Sequence, residues 1–170
     1  LSKFKNNKID AISIYKNREE KNSIKAQVVS LGDNSELGSV TFDDLSSLEN
    51  SLNKESSKDW SKMSVIKRAG ILQSIAKNIE ENPYELIYYL MHEAGKTIQN
   101  AIDEIREAID FLRYYSNEIT QLHDKDNKLE GPTGEINTLN YSEKGHFLCI
   151  SPWNFPVASL IGQISAALSC

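Results

Sequence analysis

The stretch HFLCISPWNFPVASLIGQISAAL, residues 146–168, decides the fold. Its first five residues are almost continuously apolar, which is typical of a strand buried in a parallel sheet. An abrupt turn follows from Ser151 to Phe155, and Pro156 begins a segment that we expect to be helical to the end of the chain. A strand, a tight turn and a helix form half of a βαβ unit. The sequence therefore predicts an α/β fold in which the returning strand is missing.

The turn itself carries the main candidate for chemistry. Open α/β sheets bind their ligands at the carboxyl ends of strands, where Asn154 lies. The helix that begins near Pro156 is expected to direct its N–H groups into the same space. Asn154 would then be a neutral hydrogen-bond donor suited to stabilising an oxygen that gains negative charge. The alternative is a purely structural turn with Trp153 and Phe155 packed in the core, and the residues support both interpretations equally.

The rest of the chain is predicted to be mostly helical. Apolar residues recur at helical spacing in four segments, 43–56, 61–81, 83–92 and 98–122. Gly95 is expected to end the third of these helices, because glycine adopts the left-handed conformation that often follows a helix. Strands are predicted over 24–28, 136–142 and 145–150.

Composition excludes some partners. Apolar residues make up 39% of the chain, charged residues 25%, and the net charge is −5, so neither nucleic acid nor an anionic membrane is an expected partner. No apolar run approaches the roughly 18 residues of a membrane-spanning helix. Cys149 and Cys170 are too few for a disulfide framework, which favours a reducing compartment such as the cytoplasm. Cys149 lies in an apolar run and is expected to be buried.

Two short motifs resemble known sites but lack essential parts. The triplet GKT at 95–97 resembles the end of a phosphate-binding loop, but Leu90 stands where such a loop needs glycine, and the triplet follows a helix. The pair HE at 92–93 opens like a zinc-protease helix, but Lys96 replaces the second histidine. We therefore predict neither a P-loop nor a metal site.

Around the turn the sequence resembles the aldehyde dehydrogenase superfamily. The stretch 150–168 is similar to the family's strand, PWNFP turn and following helix, and EAGKT at 93–97 and NAIDEIREAIDFLRYYSNEI at 100–119 resemble its N-terminal helices. Within the superfamily the chain is most similar to the L-glutamate γ-semialdehyde (Δ1-pyrroline-5-carboxylate) dehydrogenase half of the bifunctional proline utilization A enzymes. The resemblance covers residues 24–170. It implies the N-terminal part of an aldehyde dehydrogenase fold, mostly helical here, with a β-hairpin and an incomplete Rossmann-like domain.

The resemblance also implies an activity and a site. These enzymes use NAD to oxidise glutamate γ-semialdehyde to glutamate in proline catabolism, with a Cys nucleophile, a Glu base and an Asn donor. Only the Asn has a counterpart here, Asn154, and positions that line the cofactor in the family match Ile150, Ser151, Pro152 and Trp153. The nucleophile and base would lie outside this chain, which is therefore expected to be inactive alone. FAD would belong to a proline dehydrogenase half, also outside it.

The resemblance suggests a division of the chain and an oligomer. The expected parts are a lead-in or linker at 1–23, an N-terminal helical part of the NAD-binding domain at 24–127, a hairpin at 128–144 and the strand-turn-helix at 145–170. Residues 131–144 resemble the hairpin through which these enzymes pair, which implies a homo-oligomer.

Two other interpretations remain open beside a glutamate semialdehyde dehydrogenase. One is an aldehyde dehydrogenase for another aldehyde, and the other is a non-catalytic helical interaction domain. The chain starts at Leu1 without Met and ends at Cys170 in an apolar segment without a helix stop, so we expect a piece of a longer protein.

Overall fold

The computed structural model describes residues 2–13, 24–52, 57–124, 128–139, 141–142 and 144–170. The described helices are a 3-10 turn at Ser2–Phe4, α1 (Leu45–Leu52), α2 (Ser57–Ser61), α3 (Val65–Glu81), α4 (Tyr84–His92), α5 (Ile98–Asp124) and α6 (Ala158–Ser169). The described strands are β1 (Ile9–Ala11), β2 (Ile24–Val29), β3 (Glu36–Phe42), β4 (Lys128–Leu129) and β5 (Asn137–Thr138). The chain divides into two compact units, Leu1–Ser56 with Asn82–Asp103 and Ser57–Glu81 with Glu104–Cys170.

The first unit contains a three-stranded sheet in the order β1-β3-β2. β2 confirms the strand predicted over 24–28 and runs antiparallel to β3, whereas β1 runs parallel to β3 with Ile9 opposite Gly38. A Cβ atom at Gly38 would collide with the Ile9 carbonyl oxygen, and its φ of 148° also favours glycine. Within the lead-in expected over 1–23, the structure shows the 3-10 turn at Ser2–Phe4 and the short strand β1, which pairs with β3.

Helix α4 ends as predicted, and both α4 and α5 agree with their predicted ranges to within two residues. Gly95 has a φ of 67°, and the N–H of Lys96 donates a 3.1 Å hydrogen bond to the Leu90 carbonyl oxygen. This bond satisfies a carbonyl that the helix itself leaves unpaired. The buried side chains of Ile87, Tyr88 and Leu90 place one face of α4 in the core of the first unit.

Two helices begin later than predicted because of polar N-caps. The Asp44 carboxylate accepts a 2.7 Å hydrogen bond from the Ser47 N–H, so α1 begins at Leu45, and its predicted end at 53–56 lies outside the described residues. The hydroxyl of Ser64 accepts a 3.4 Å bond from the N–H of Lys67 at the start of α3. The helix predicted over 61–81 is therefore observed as α3 from Val65. A separate short helix, α2, ends at Ser61, where the predicted helix would begin.

The second unit is built mainly from α3, α5 and α6, and α3 packs against α6. Its apolar core consists of Ala69, Leu72, Ala76, Ile105, Ala108, Ile109, Leu112 and Ala158. Of the described helices, none combines the length and apolar character that crossing a bilayer requires.

Two predicted strands differ in the structure. The strand expected over 136–142 is limited to β5, which pairs antiparallel with β4. The segment 145–150 forms no strand, and Leu148 and Ile150 are 86% and 72% exposed. An apolar run becomes a buried strand only when neighbouring strands bond to it, and no strand in the described part of the chain does so. The prediction of a buried strand here is wrong, although the α/β class with a helical N-terminal part is confirmed.

Candidate functional site

The turn before α6 is the candidate site. The N–H of Phe155 donates a 3.3 Å hydrogen bond to the Pro152 carbonyl oxygen, and α6 begins at Ala158. Asn154 lies within this turn with its side chain exposed. Two prolines restrict the backbone on either side, so the amide is presented from a stiff segment and is accessible to a ligand.

The aromatic side chains of the turn are not core residues. Trp153 is 81% exposed and Phe155 is 43% exposed. The interpretation of the turn as a purely structural element with both rings packed in the core is therefore wrong for the described chain. A large apolar side chain left in water is instead available for contact with another molecule or segment.

The N-terminus of α6 is occupied by a carboxylate from α5. The Glu104 Oε1 atom accepts hydrogen bonds from the N–H groups of Val157 at 2.8 Å and Ala158 at 3.2 Å, and Glu104 is 1% exposed. Val157 has no side-chain cap of its own. The expectation that this helix directs its N–H groups towards a ligand is thus wrong for the N–H groups of Val157 and Ala158. The buried carboxylate of Glu104 already binds both and complements the helix dipole.

A second side chain ties α6 to the segment before the turn. The Nε2 atom of Gln163 donates a 2.9 Å hydrogen bond to the Ile150 carbonyl oxygen. Gln163 lies on the second turn of α6. The turn is therefore anchored at its start by Gln163 and at its end by Glu104.

The other end of α6 is anchored from α2 and α3. Buried Arg68 donates from Nε to the Ser169 carbonyl oxygen at 3.3 Å and from a terminal nitrogen to that of Cys170 at 3.1 Å. Trp60 Nε1 donates to the Leu168 carbonyl oxygen at 3.0 Å. Positive charge is favourable at a helix C-terminus, so opposite charges hold the two ends of α6.

Comparison with known sequences identifies the family. The model of the aldehyde dehydrogenase family matches residues 20–170. This chain belongs to the aldehyde dehydrogenase family. The match includes the turn, α6 and every helix that anchors α6.

Relatives of this aldehyde dehydrogenase chain include PutA proteins and 1-pyrroline-5-carboxylate dehydrogenases. It is 46% identical over 102 residues to the bifunctional protein PutA of Salmonella typhimurium, covering 60% of this chain and 7% of PutA. It is 36% identical over 114 residues to 1-pyrroline-5-carboxylate dehydrogenase 1 of Halalkalibacterium halodurans, covering 67% of this chain and 22% of that protein. The crystal structure of PutA from Bdellovibrio bacteriovorus superposes with a TM-score of 0.88 and 25% identity over 99% of this chain and 18% of that one. The chain thus spans a small part of the relatives it matches.

The structure places the site residues predicted for an aldehyde dehydrogenase in one continuous segment. The cofactor-lining candidates precede Asn154 directly and are exposed except for half-buried Ser151; they are Ile150, Ser151, Pro152 and Trp153. Sequence reasoning missed Glu104 and Gln163. A signal for Glu104 existed, because it lies with Ala101, Ile105 and Ala108 on the buried face of α5, where a carboxylate needs a partner.

The other polar candidates are the two cysteines and His92. Cys149 is half-buried, not fully buried as expected, and Cys170 is exposed. In the first unit, the ring of His92 packs 4.2 Å from that of Tyr88, and its Nδ1 lies 3.4 Å from the Ser30 hydroxyl. Within the described ranges, no group of three or more His, Cys, Asp or Glu side chains is placed to hold a metal ion.

Proposed function

We propose that this chain is part of an NAD-dependent aldehyde dehydrogenase that oxidises L-glutamate γ-semialdehyde to glutamate in proline catabolism. Family membership and the names of the relatives support this proposal. The observation that carries it is the exposed Asn154 amide on a turn whose two ends are anchored by Gln163 and Glu104. Such a donor is held in place before the substrate arrives, which is what transition-state stabilisation requires.

Asn154 would act on the oxygen of the reacting aldehyde. Attack by a cysteine thiolate, supplied by residues outside this chain, forms a carbon–sulfur bond and moves the carbonyl electron pair onto oxygen. The Asn154 amide would donate a hydrogen bond to that negatively charged oxygen. A neutral amide stabilises the charge without neutralising it, so the electron pair can re-form the carbonyl when hydride leaves.

The turn also suits part of the NAD site. NAD supplies the hydride acceptor when bound. The segment from Ile150 to Trp153 would hold it, since Ile150 and Trp153 expose large apolar surfaces suited to flat rings. The Glu104 carboxylate makes the N-terminus of α6 unsuited to the phosphates, so the chain would contact the rings and riboses of NAD.

The other parts of the proposal concern assembly and location. The hairpin at 131–144 would pair subunits into a homo-oligomer, and its side chains Ile136 and Tyr141 are 85% and 62% exposed. The whole protein would be cytoplasmic, and any FAD would belong to a proline dehydrogenase part of it.

The activity can be tested on the full-length protein that contains this chain. Purified protein is mixed with NAD and glutamate γ-semialdehyde, and NADH formation is followed by absorbance, with acetaldehyde and succinate semialdehyde as competing substrates. The proposal expects the highest kcat/KM for glutamate γ-semialdehyde. A higher kcat/KM for another aldehyde would overturn the proposed substrate. Absence of NADH formation with every aldehyde would overturn the proposed dehydrogenase activity.

A further inference from the structure

Glu104 connects two segments that are far apart in sequence. It lies on α5, 53 residues before Val157, and its Oε1 atom accepts hydrogen bonds from the N–H groups of Val157 and Ala158 at 2.8 and 3.2 Å. Both the carboxylate residue and Ala158 are 1% exposed. The contact is therefore protected from water, and water does not replace it easily when it is lost.

The start of α6 depends on this contact because it has no local cap. Helices usually begin with Ser, Thr, Asp or Asn, whose side chain accepts a hydrogen bond from the next turn. Val157 occupies that position here and makes no such bond. The first turn of α6 is thus located by α5, and not by the residues that precede it.

Asn154 lies between this anchor and the one at the start of the turn. Two residues separate it from Val157, and Gln163 holds the Ile150 carbonyl oxygen on the other side. Because Pro152 and Pro156 restrict the backbone between the two anchors, a shift of Val157 is transmitted to Asn154. An error of about 1 Å in a reacting group can lower a rate about 10²-fold.

We propose that Glu104 is a positioning residue for Asn154, which holds the amide where the aldehyde oxygen becomes negatively charged. This inference rests on the proposed function. For this role, the length of the Glu104 side chain matters more than its negative charge, because one oxygen must reach two N–H groups. Length and charge can be separated by substitution, because Gln keeps the length and an acceptor oxygen while Asp keeps the charge but is one methylene shorter.

The experiment compares Glu104→Gln and Glu104→Asp in the full-length protein. We expect Glu104→Gln to retain kcat within about threefold, because the amide oxygen still accepts both bonds. We expect Glu104→Asp to lower kcat about 10²-fold with the KM for NAD unchanged. The matched controls are Glu107→Gln and Glu107→Asp, since Glu107 is an exposed residue on the same helix. The reverse order, with Gln impaired and Asp active, would overturn the positioning role in favour of a charge effect.

A double-mutant comparison tests whether Glu104 acts through Asn154. In an Asn154→Ala background, Glu104→Asp should lower kcat by no more than about threefold further, because the group that it positions is already absent. A further loss of the full 10²-fold would overturn the proposal. If Glu104→Asp does not fold, a loss of kcat above about tenfold in Glu104→Gln at the wild-type melting temperature overturns it as well.

Hydrogen exchange separates this inference from the proposed function. Amide exchange at Val157 and Ala158 should accelerate in Glu104→Asp and stay slow in Glu104→Gln, whether or not the protein oxidises an aldehyde. Equal exchange in both variants and the wild type would overturn the anchoring role even in an active enzyme. An inactive wild-type protein with the expected exchange pattern would overturn the proposed function alone.

Discussion

The guanidinium of Arg68 on α3 donates a hydrogen bond from Nε to the carbonyl oxygen of Ser169 at the end of α6. Both residues are buried, at 6% and 3% exposure. The same guanidinium donates to the Met63 carbonyl oxygen at 2.6 Å, so one side chain connects the segment just before α3 to the end of α6. This connection locates α6 at the end opposite to the candidate site.

Arg68→Met should destabilise the second unit. The substitution keeps an apolar stem but leaves buried carbonyl oxygens without their donor, at a cost of about 1–3 kcal/mol in the free energy of unfolding. Urea denaturation followed by circular dichroism measures this change. Lys67→Met is the control, since the neighbouring Lys67 is exposed, and it should shift stability by less than about 0.5 kcal/mol. Equal effects of the two substitutions would contradict the anchoring role of Arg68.

Asn154→Ala in the full-length protein should lower kcat and kcat/KM together by about 10²–10³. The affinity for NAD should stay within a few-fold, because the amide acts only on the transition state. The melting temperature should not change, because the side chain is exposed. Kinetics and thermal melting on one preparation decide this prediction. A normal kcat in a stable variant would remove Asn154 from the catalytic residues.

The chain of 170 residues alone should neither oxidise glutamate γ-semialdehyde nor bind NAD tightly. By the family resemblance, the nucleophile, the base and most of the cofactor site are expected to lie outside it. Isothermal calorimetry with NAD measures the affinity, and the full-length protein is the positive control. Micromolar affinity of the isolated chain would show that the turn and its neighbours form a sufficient NAD site.

Two helical glycines should respond oppositely to a larger side chain. A Cβ atom at Gly70 on α3 meets no atom within 4 Å, so Gly70→Ala should stabilise the chain by about 0.8–1.0 kcal/mol through helix propensity. A Cβ atom at Gly162 on α6 would lie 3.1 Å from the Phe111 ring. Gly162→Val should therefore destabilise by about 1–3 kcal/mol. Urea denaturation measures both, and Phe111→Leu should recover part of the loss. Stabilisation by Gly162→Val would contradict the close packing of α6 on α5.

In the first unit, the pKa of Asp33 is lowered from 3.8 to about 2, mainly by the hydrogen bond from the Ser35 hydroxyl. Ser35→Ala should raise this pKa towards 3.8, which an NMR titration of the carboxyl carbon measures. Because the folded-state pKa is lowered, the stabilisation is present above pH 3.8 and is lost as the pH falls towards 2. Ser46→Ala, which removes a bond to Asp44, is the control and should leave the Asp33 titration unchanged.

Local sequence signals were sufficient to predict the helices whose apolar periodicity and terminal residues both lie within the segment or directly beside it. α5 has apolar residues at helical spacing over its whole length, and Gly95 before it supplies the left-handed residue that ends α4. The segment PWNFP also indicated the turn that contains Asn154. These features depend on neighbours within a few residues, so the sequence alone predicts them.

Features that depend on distant partners were not predictable in this way. The apolar run 145–150 has the composition of a buried strand, but it remains unpaired in the described chain. Ile75 has the spacing of a core residue on α3, yet it is 39% exposed. Burial depends on what packs against a face, and periodicity does not contain that information.

The sequence by itself determined that an Asn in a proline-flanked turn precedes a helix, and that several helices come before this turn in the chain. Only the tertiary structure decided that Glu104 and Arg68 hold the two ends of that helix, from positions 53 and 101 residues away in sequence. The physical reason is that the end of a helix needs a partner for its unpaired N–H and carbonyl groups but does not specify which residue supplies it. For α6, the folding of α3 and α5 against it brings both charges to its ends.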